Sequence, residues 1–103
     1  SGTESETILS TPQEIVQSAY LDQNKPNPFS ENTIIGMYLP EQLKSATLYV
    51  YNVNGLQLLS KTIPGRSKTS VTISAKELQA GIYIYSLIVD GVLVGSRQMI
   101  LTE

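Results

Sequence analysis

Side chains able to do chemistry are few in this sequence, and the missing types decide more than the ones present. Histidine and cysteine are both absent, which removes the commonest general base, the commonest zinc ligand, and every thiolate or disulfide. Serines are plentiful, but a serine nucleophile needs a base to take its proton. A lysine base would have to be desolvated, and nothing in the pattern points to that. Paired carboxylates must converge in a cleft, whereas Asp22, Glu31, Glu41, Glu77 and Asp90 all fall at expected turns or segment ends. Asn52-Val53-Asn54-Gly55 has the beginnings of a calcium loop but lacks the further ligands and the closing glutamate. A hairpin turn accounts for the same four residues. Tyr49, Tyr51, Tyr83 and Tyr85 could form a sugar-stacking platform, although tyrosine on a strand is more often half-buried packing with its hydroxyl at the rim. Arg66, Lys68, Lys61 and Lys76 make a small basic patch at most, or simply a solvated surface. The chain reads as a non-enzyme with no cofactor and no metal.

Composition narrows the fold. The 103 residues suit one domain. They are 41% apolar and only 16% charged, below the roughly 25% charge of ordinary soluble proteins. Six tyrosines and many Ile, Val, Leu and Thr favour strands. The net charge of −2 is unevenly spread: residues 1–31 carry five acids against Lys25 alone, and residues 32–103 carry six bases against four acids. Neither part has a nucleic-acid footprint. No apolar run reaches the ~20 residues of a membrane span, and no signal peptide is visible. The opening Ser1-Gly2-Thr3, without methionine, reads as an excised piece of something longer.

The elements that would position these residues follow from turn chemistry. Residues 1–19 read as a leader or linker, partly disordered. Within it Thr11-Pro12-Gln13-Glu14 has capping-box form; a short helix after it and an extended arm through Tyr20 and Leu21 are equal alternatives. Gln23-Asn24-Lys25-Pro26-Asn27-Pro28-Phe29 is the stretch around which the rest is organised. Pro26 and Pro28 cannot donate to a ladder, so the run suits a sheet edge. Phe29, the only phenylalanine, would plug the core.

Strands are expected over Thr33–Leu39, with Ile35, Met37 and Leu39 on one face, and over Ala46–Val53, with Leu48 and Val50 opposite Tyr49 and Tyr51. Asn54-Gly55 predicts a type I′ hairpin turn into a return strand, Leu56–Ile63. Pro64-Gly65 predicts a type II turn, and Arg66, Ser67 and Lys68 a loop tip. Thr69–Ile73 reads as a half-buried strand. Ser74-Ala75-Lys76-Glu77 has capping-box spacing again and allows about one helical turn before Gly81. Ile82–Val89 is apolar on both faces, so it should be central, with Tyr83 and Tyr85 on the face of Leu87 and Val89. Asp90-Gly91 predicts a second type I′ turn, and Val92–Leu101 closes the chain. About seven strands with turns at roughly 8–12-residue spacing make an all-β, immunoglobulin-like antiparallel sandwich over residues 20–103.

The same landmarks carry a resemblance. The Gln23–Phe29 run, an apolar strand ending Tyr38-Leu39-Pro40, then Leu48-Tyr49-Val50-Tyr51-Asn52-Val53-Asn54-Gly55, then Leu78-Gln79-Ala80-Gly81-Ile82-Tyr83-Ile84-Tyr85, then Asp90-Gly91 and a last strand occur in unbroken order. The chain resembles the C-terminal sorting domain of the type IX (Por) secretion system of Bacteroidetes over about residues 20–103. The resemblance implies an immunoglobulin-like sandwich at the end of a larger exported protein, serving as an address. After passage through the periplasm it would be recognised by outer-membrane secretion machinery. A sortase-like peptidase would then cut it off in or before residues 1–22, leaving the cargo at the cell surface or outside. Arg97, Gln98 and Met99 of the last strand become the candidate recognition residues. The competing reading is a structural or adhesive sandwich capping a cell-surface protein, with self-association through an edge strand open to either.

Overall fold

The computed structural model describes residues 18–103. The capping-box segment Thr11–Glu14 lies outside them, and of its two alternative continuations the extended one through Tyr20 and Leu21 falls on a strand. Seven strands follow in order: β1 (Tyr20–Leu21), β2 (Asn32–Leu39), β3 (Ala46–Asn52), β4 (Gln57–Thr62), β5 (Ser67–Ser74), β6 (Gly81–Val89) and β7 (Val92–Leu101). They form two antiparallel sheets, one in the order β1-β2-β5 and one in the order β4-β3-β6-β7. Sequential hairpins within the second sheet and the β2-β5 crossover pairing give the immunoglobulin-like arrangement, with the fourth strand joined to the third, not to the fifth.

Alternation builds the core. On β2 the residues Thr33, Ile35, Met37 and Leu39 are buried, on β3 Ala46, Leu48 and Val50, and on β6 Tyr83, Tyr85, Leu87 and Val89. Each fully buried aliphatic side chain contributes about 1.5–3 kcal/mol, so these facing rows hold the sheets together. β6 lies between β3 and β7, the central place that its two apolar faces predict. Ala75–Glu77 is a single 3-10 turn capped as expected: Lys76 N–H donates to Ser74 Oγ, and Ser74 N–H donates to the Glu77 carboxylate.

Two turns differ from expectation. Asp90 and Gly91 both take positive φ, 48° and 82°, as a type I′ turn requires. At Asn54-Gly55 only the glycine does, at 85°. There Gly55 N–H donates to Asn52 O and Asn52 N–H to Leu56 O, both at 3.0 Å, which is a three-residue loop with a glycine bulge. The Asn52 side chain selects it by accepting from Asn54 N–H at 2.9 Å and Leu56 N–H at 3.0 Å. That same carboxamide oxygen is the group a calcium ion would have needed.

The Pro64-Gly65 type II turn does not form, because Gly65 is not at positive φ; Ser67 is, at 64°. β5 runs back along the whole of β2, pairing Ser67 with Leu39 and Lys68 with Tyr38, so the strand starts before the expected loop tip has ended. Arg66 holds the connection by donating to the carbonyls of Ile63, Gly65 and Leu43. A side chain at position 65 would place its Cβ 2.4 Å from Thr69 Oγ1.

Candidate functional site

Of the residues singled out by sequence, Asn27 and Phe29, set between Pro26 and Pro28, bond to the final strand. Phe29 is 2% exposed, and its backbone bridges in parallel to Leu101 of β7. Its N–H donates to Ile100 O at 2.9 Å, and its carbonyl accepts from Thr102 N–H at 2.8 Å. One step earlier the Asn27 side chain accepts from Ile100 N–H at 2.9 Å. Further back the Gln23 amide donates to Gln98 O at 2.7 Å. The outward backbone edge of β7 from Gln98 to Thr102 is thus closed by the segment 23–29, which acts as a strand of prolines and amides. The Lys25-Pro26 and Asn27-Pro28 peptide bonds are both cis.

A buried polar knot fixes the arm from beneath. Asn24, 1% exposed, donates to Thr33 Oγ1 at 2.9 Å and to Pro26 O at 3.1 Å, while Thr33 donates to Pro26 O at 2.8 Å. Tyr85 donates to Asp22 O at 2.7 Å. Burial pushes its phenol up to about 12, against smaller lowering contributions from an Asn24 backbone bond and the Arg97 charge. Among the described residues, every buried side-chain nitrogen or oxygen has a partner. Asn24 and Asn27 were read by sequence as parts of an extended run; the amide bonds that make them clasp residues depend on partners far along the chain.

The candidate recognition residues are divided by the pleat. Tyr85 pairs with Arg97 and Tyr83 with Met99, so positions 97 and 99 share the inward face. Met99 is wholly buried. Arg97 lies at the rim and donates through Nε to Leu21 O at 3.1 Å, fastening β1 to β7. Only Gln98 turns its side chain outward. It joins an outer sheet face that holds Thr47, Tyr49, Tyr51, Ser60, Ile84 and Ser96 and carries no charged side chain.

The tyrosine platform does not assemble. Tyr49 and Tyr51 lie together on that outer face with ring centroids 6.4 Å apart, while Tyr83 and Tyr85 point into the core. Nor do the four cations gather as free charges, since Lys61 pairs with Glu77 and Arg66 is spent on carbonyls. The Lys61 ammonium, with Ser74 N–H in second place, holds the Glu77 carboxyl below its ordinary value. A depression beside it, of about 500 Å³, is lined by Lys76, Glu77, Gln79 and Tyr83 among others. Its phenol donates to Gln79 O, so the polar groups there serve local structure. Among the described residues no group of three or more acids, histidines or cysteines could hold a metal ion, and no helix is long and apolar enough to cross a membrane.

Fold and site together define an immunoglobulin-like module whose segment 23–29 is tied to its last strand at one edge. Residues 26–101 match the family model described as the secretion system C-terminal sorting domain. The chain belongs to that family, the C-terminal sorting signals of type IX secretion. The match begins at Pro26 and ends at Leu101, so it takes in strands β2 to β7 and the Pro26–Phe29 part of the clasp, while β1, Gln23 and Asn24 precede it. Membership makes the chain an export address that interacts with secretion machinery and directs a protein to the cell surface or the extracellular space. No match is found among curated proteins. Among solved structures, the chain is similar to the CARDB domain of a Pyrococcus furiosus protein crystallised with di-metal ions. Identity is 13%, coverage 82% of this chain and 88% of that one, and the TM-score 0.48.

Proposed function

We propose that the machinery reads this domain as a folded object, that the domain has no catalytic activity, and that its clasped end is where the reading occurs. The supporting observation is the arm-to-β7 pairing. It joins the segment leading in from the passenger side to the last strand of the address. A partner that grips the end of β7 thereby also grips the segment next to the passenger. Gln98, outward on an uncharged face, is the contact side chain; Arg97 and Met99 hold the strand that presents it. The route is periplasm first, then the cell surface or medium, with a sortase-like peptidase cutting in or before residues 1–22.

The test is an export assay. A signal peptide and fluorescent protein are placed ahead of the full 103-residue chain in a Bacteroidetes host with type IX machinery. The passenger should appear outside the cell without the domain. Export should be lost on deleting residues 98–103 and weakened by Gln98→Ala, which leaves the fold intact. A passenger held in the periplasm with a folded domain attached would overturn the reading and favour a structural or adhesive cap.

A further inference from the structure

The edge of β5 away from β2 is open, and the ladder geometry says which groups it presents. Ile34 exchanges both of its backbone bonds with Lys25, and Gly36 O accepts from Asp22 N–H. Even-numbered residues of β2 therefore face the arm and β1, and odd-numbered ones face β5. Their partners are Val71, opposite Ile35, and Thr69, opposite Met37. Lys68, Ser70 and Thr72 must then aim their N–H and C=O groups away from the sheet. All three are exposed, on a strand of eight residues. One place further on, Ser74 N–H is already taken by Glu77, which marks the end of the open stretch.

The other sheet edges are guarded. β7 is closed by the arm from Gln98 to Thr102. β1, at the far edge of the same sheet as β5, is only two residues long, and its Leu21 carbonyl accepts from Arg97 Nε. β4 is six residues long, starts at a register shift and is crossed by the Lys61–Glu77 pair. Charges, irregular pairing and covering segments are the ordinary protections of an edge. β5 has none of them except Lys68, because the fourth strand, which would cover it in a constant-type immunoglobulin sheet, has joined β3.

We propose that β5 pairs with β5 of a second copy of this chain, antiparallel about a two-fold axis at Ser70. The charge pattern suits that occupant. In this register Ser70 meets Ser70 of the second copy, and Lys68 meets Thr72 on each side. The lone cation of the strand thus never faces its own copy, and each outward residue exchanges two backbone bonds with the residue opposite. Such an isologous contact closes on itself as a dimer and turns two three-stranded sheets into one continuous sheet of six.

Sedimentation velocity on the full chain over a wide concentration range, with amide exchange at the same concentrations, tests this. Thr72→Lys sets lysines opposite Lys68 at both ends of the contact and should raise the dimer Kd roughly tenfold at low salt; Thr72→Glu should lower it by a similar factor. Both shifts should shrink at high salt. The amides of Lys68, Ser70 and Thr72 should exchange more slowly in concentrated than in dilute protein. A chain monomeric at every concentration, with those amides equally fast throughout, would overturn the proposal. So would a dimer that responds to neither substitution.

Discussion

Two edges of one sandwich are treated in opposite ways. At β7 the chain covers its own final strand with an arm whose prolines cannot pair beyond it and whose side-chain amides supply the missing ladder. Phe29 and Met99 beneath that edge are both essentially buried. At β5 the backbone is left bare and the outward side chains are small and polar, apart from Lys68. The lesson is that the stability of the end segments was placed at one edge, where the passenger side and the C-terminal strand meet. The other edge carries no such cost and stays available. Substitutions should therefore separate the two sharply.

The largest effect belongs to Phe29→Ala, which should cost about 3–5 kcal/mol in chemical denaturation. A loss under ~1 kcal/mol would mean that the ring is no plug. Next comes Tyr85→Phe, which strands the Asp22 carbonyl under the arm and should cost about 1–3 kcal/mol. It carries a pH signature as well. The folded phenol, raised by burial to about 12 from its ordinary 10.0, favours the neutral form. That contribution is full below pH ~10 and is lost as pH climbs towards ~12. The parent chain should show this alkaline loss in urea melts at stepped pH, and Tyr85→Phe should lack that part of it. A smaller effect, about 0.5–1.5 kcal/mol, is expected for Asn27→Ala, which removes one bond to Ile100. At the open edge Ser70→Ala should change monomer stability by less than about 0.5 kcal/mol. Equal losses at positions 27 and 70 would erase the distinction between the edges.

Much of this was legible. Period-two alternation gave the inward rows of β2, β3 and β6, and the Pro-rich arm announced both an edge and a plug. Two dipeptides of the same kind then behaved differently, and the residues around them explain why. Asp90 caps the Lys44 and Ser45 amides at 3.0 and 2.9 Å, which leaves the type I′ geometry free to close β6 onto β7. Asn52 instead bonds to the amides of its own loop, and that local competition selects the longer turn. The recognition triplet shows a different point, that its three side chains do not share one face. Arg97, Gln98 and Met99 were grouped as neighbours in sequence, although adjacent strand residues point to opposite faces. Alternation with Leu101 already placed Met99 inside. The clasp amides were beyond reach for a physical reason: Asn27 finds its partner 73 residues along the chain, and no local pattern encodes such a pairing.

The most direct test of the clasp is native-state amide exchange at Ile100 and Thr102. Their N–H groups face away from β6, so only Asn27 and Phe29 can protect them. Slow exchange at both positions is expected, with Asn27→Ala releasing Ile100 while Thr102 stays protected by the Phe29 carbonyl. Rapid exchange at both in the unaltered protein would show that the arm does not hold the final strand.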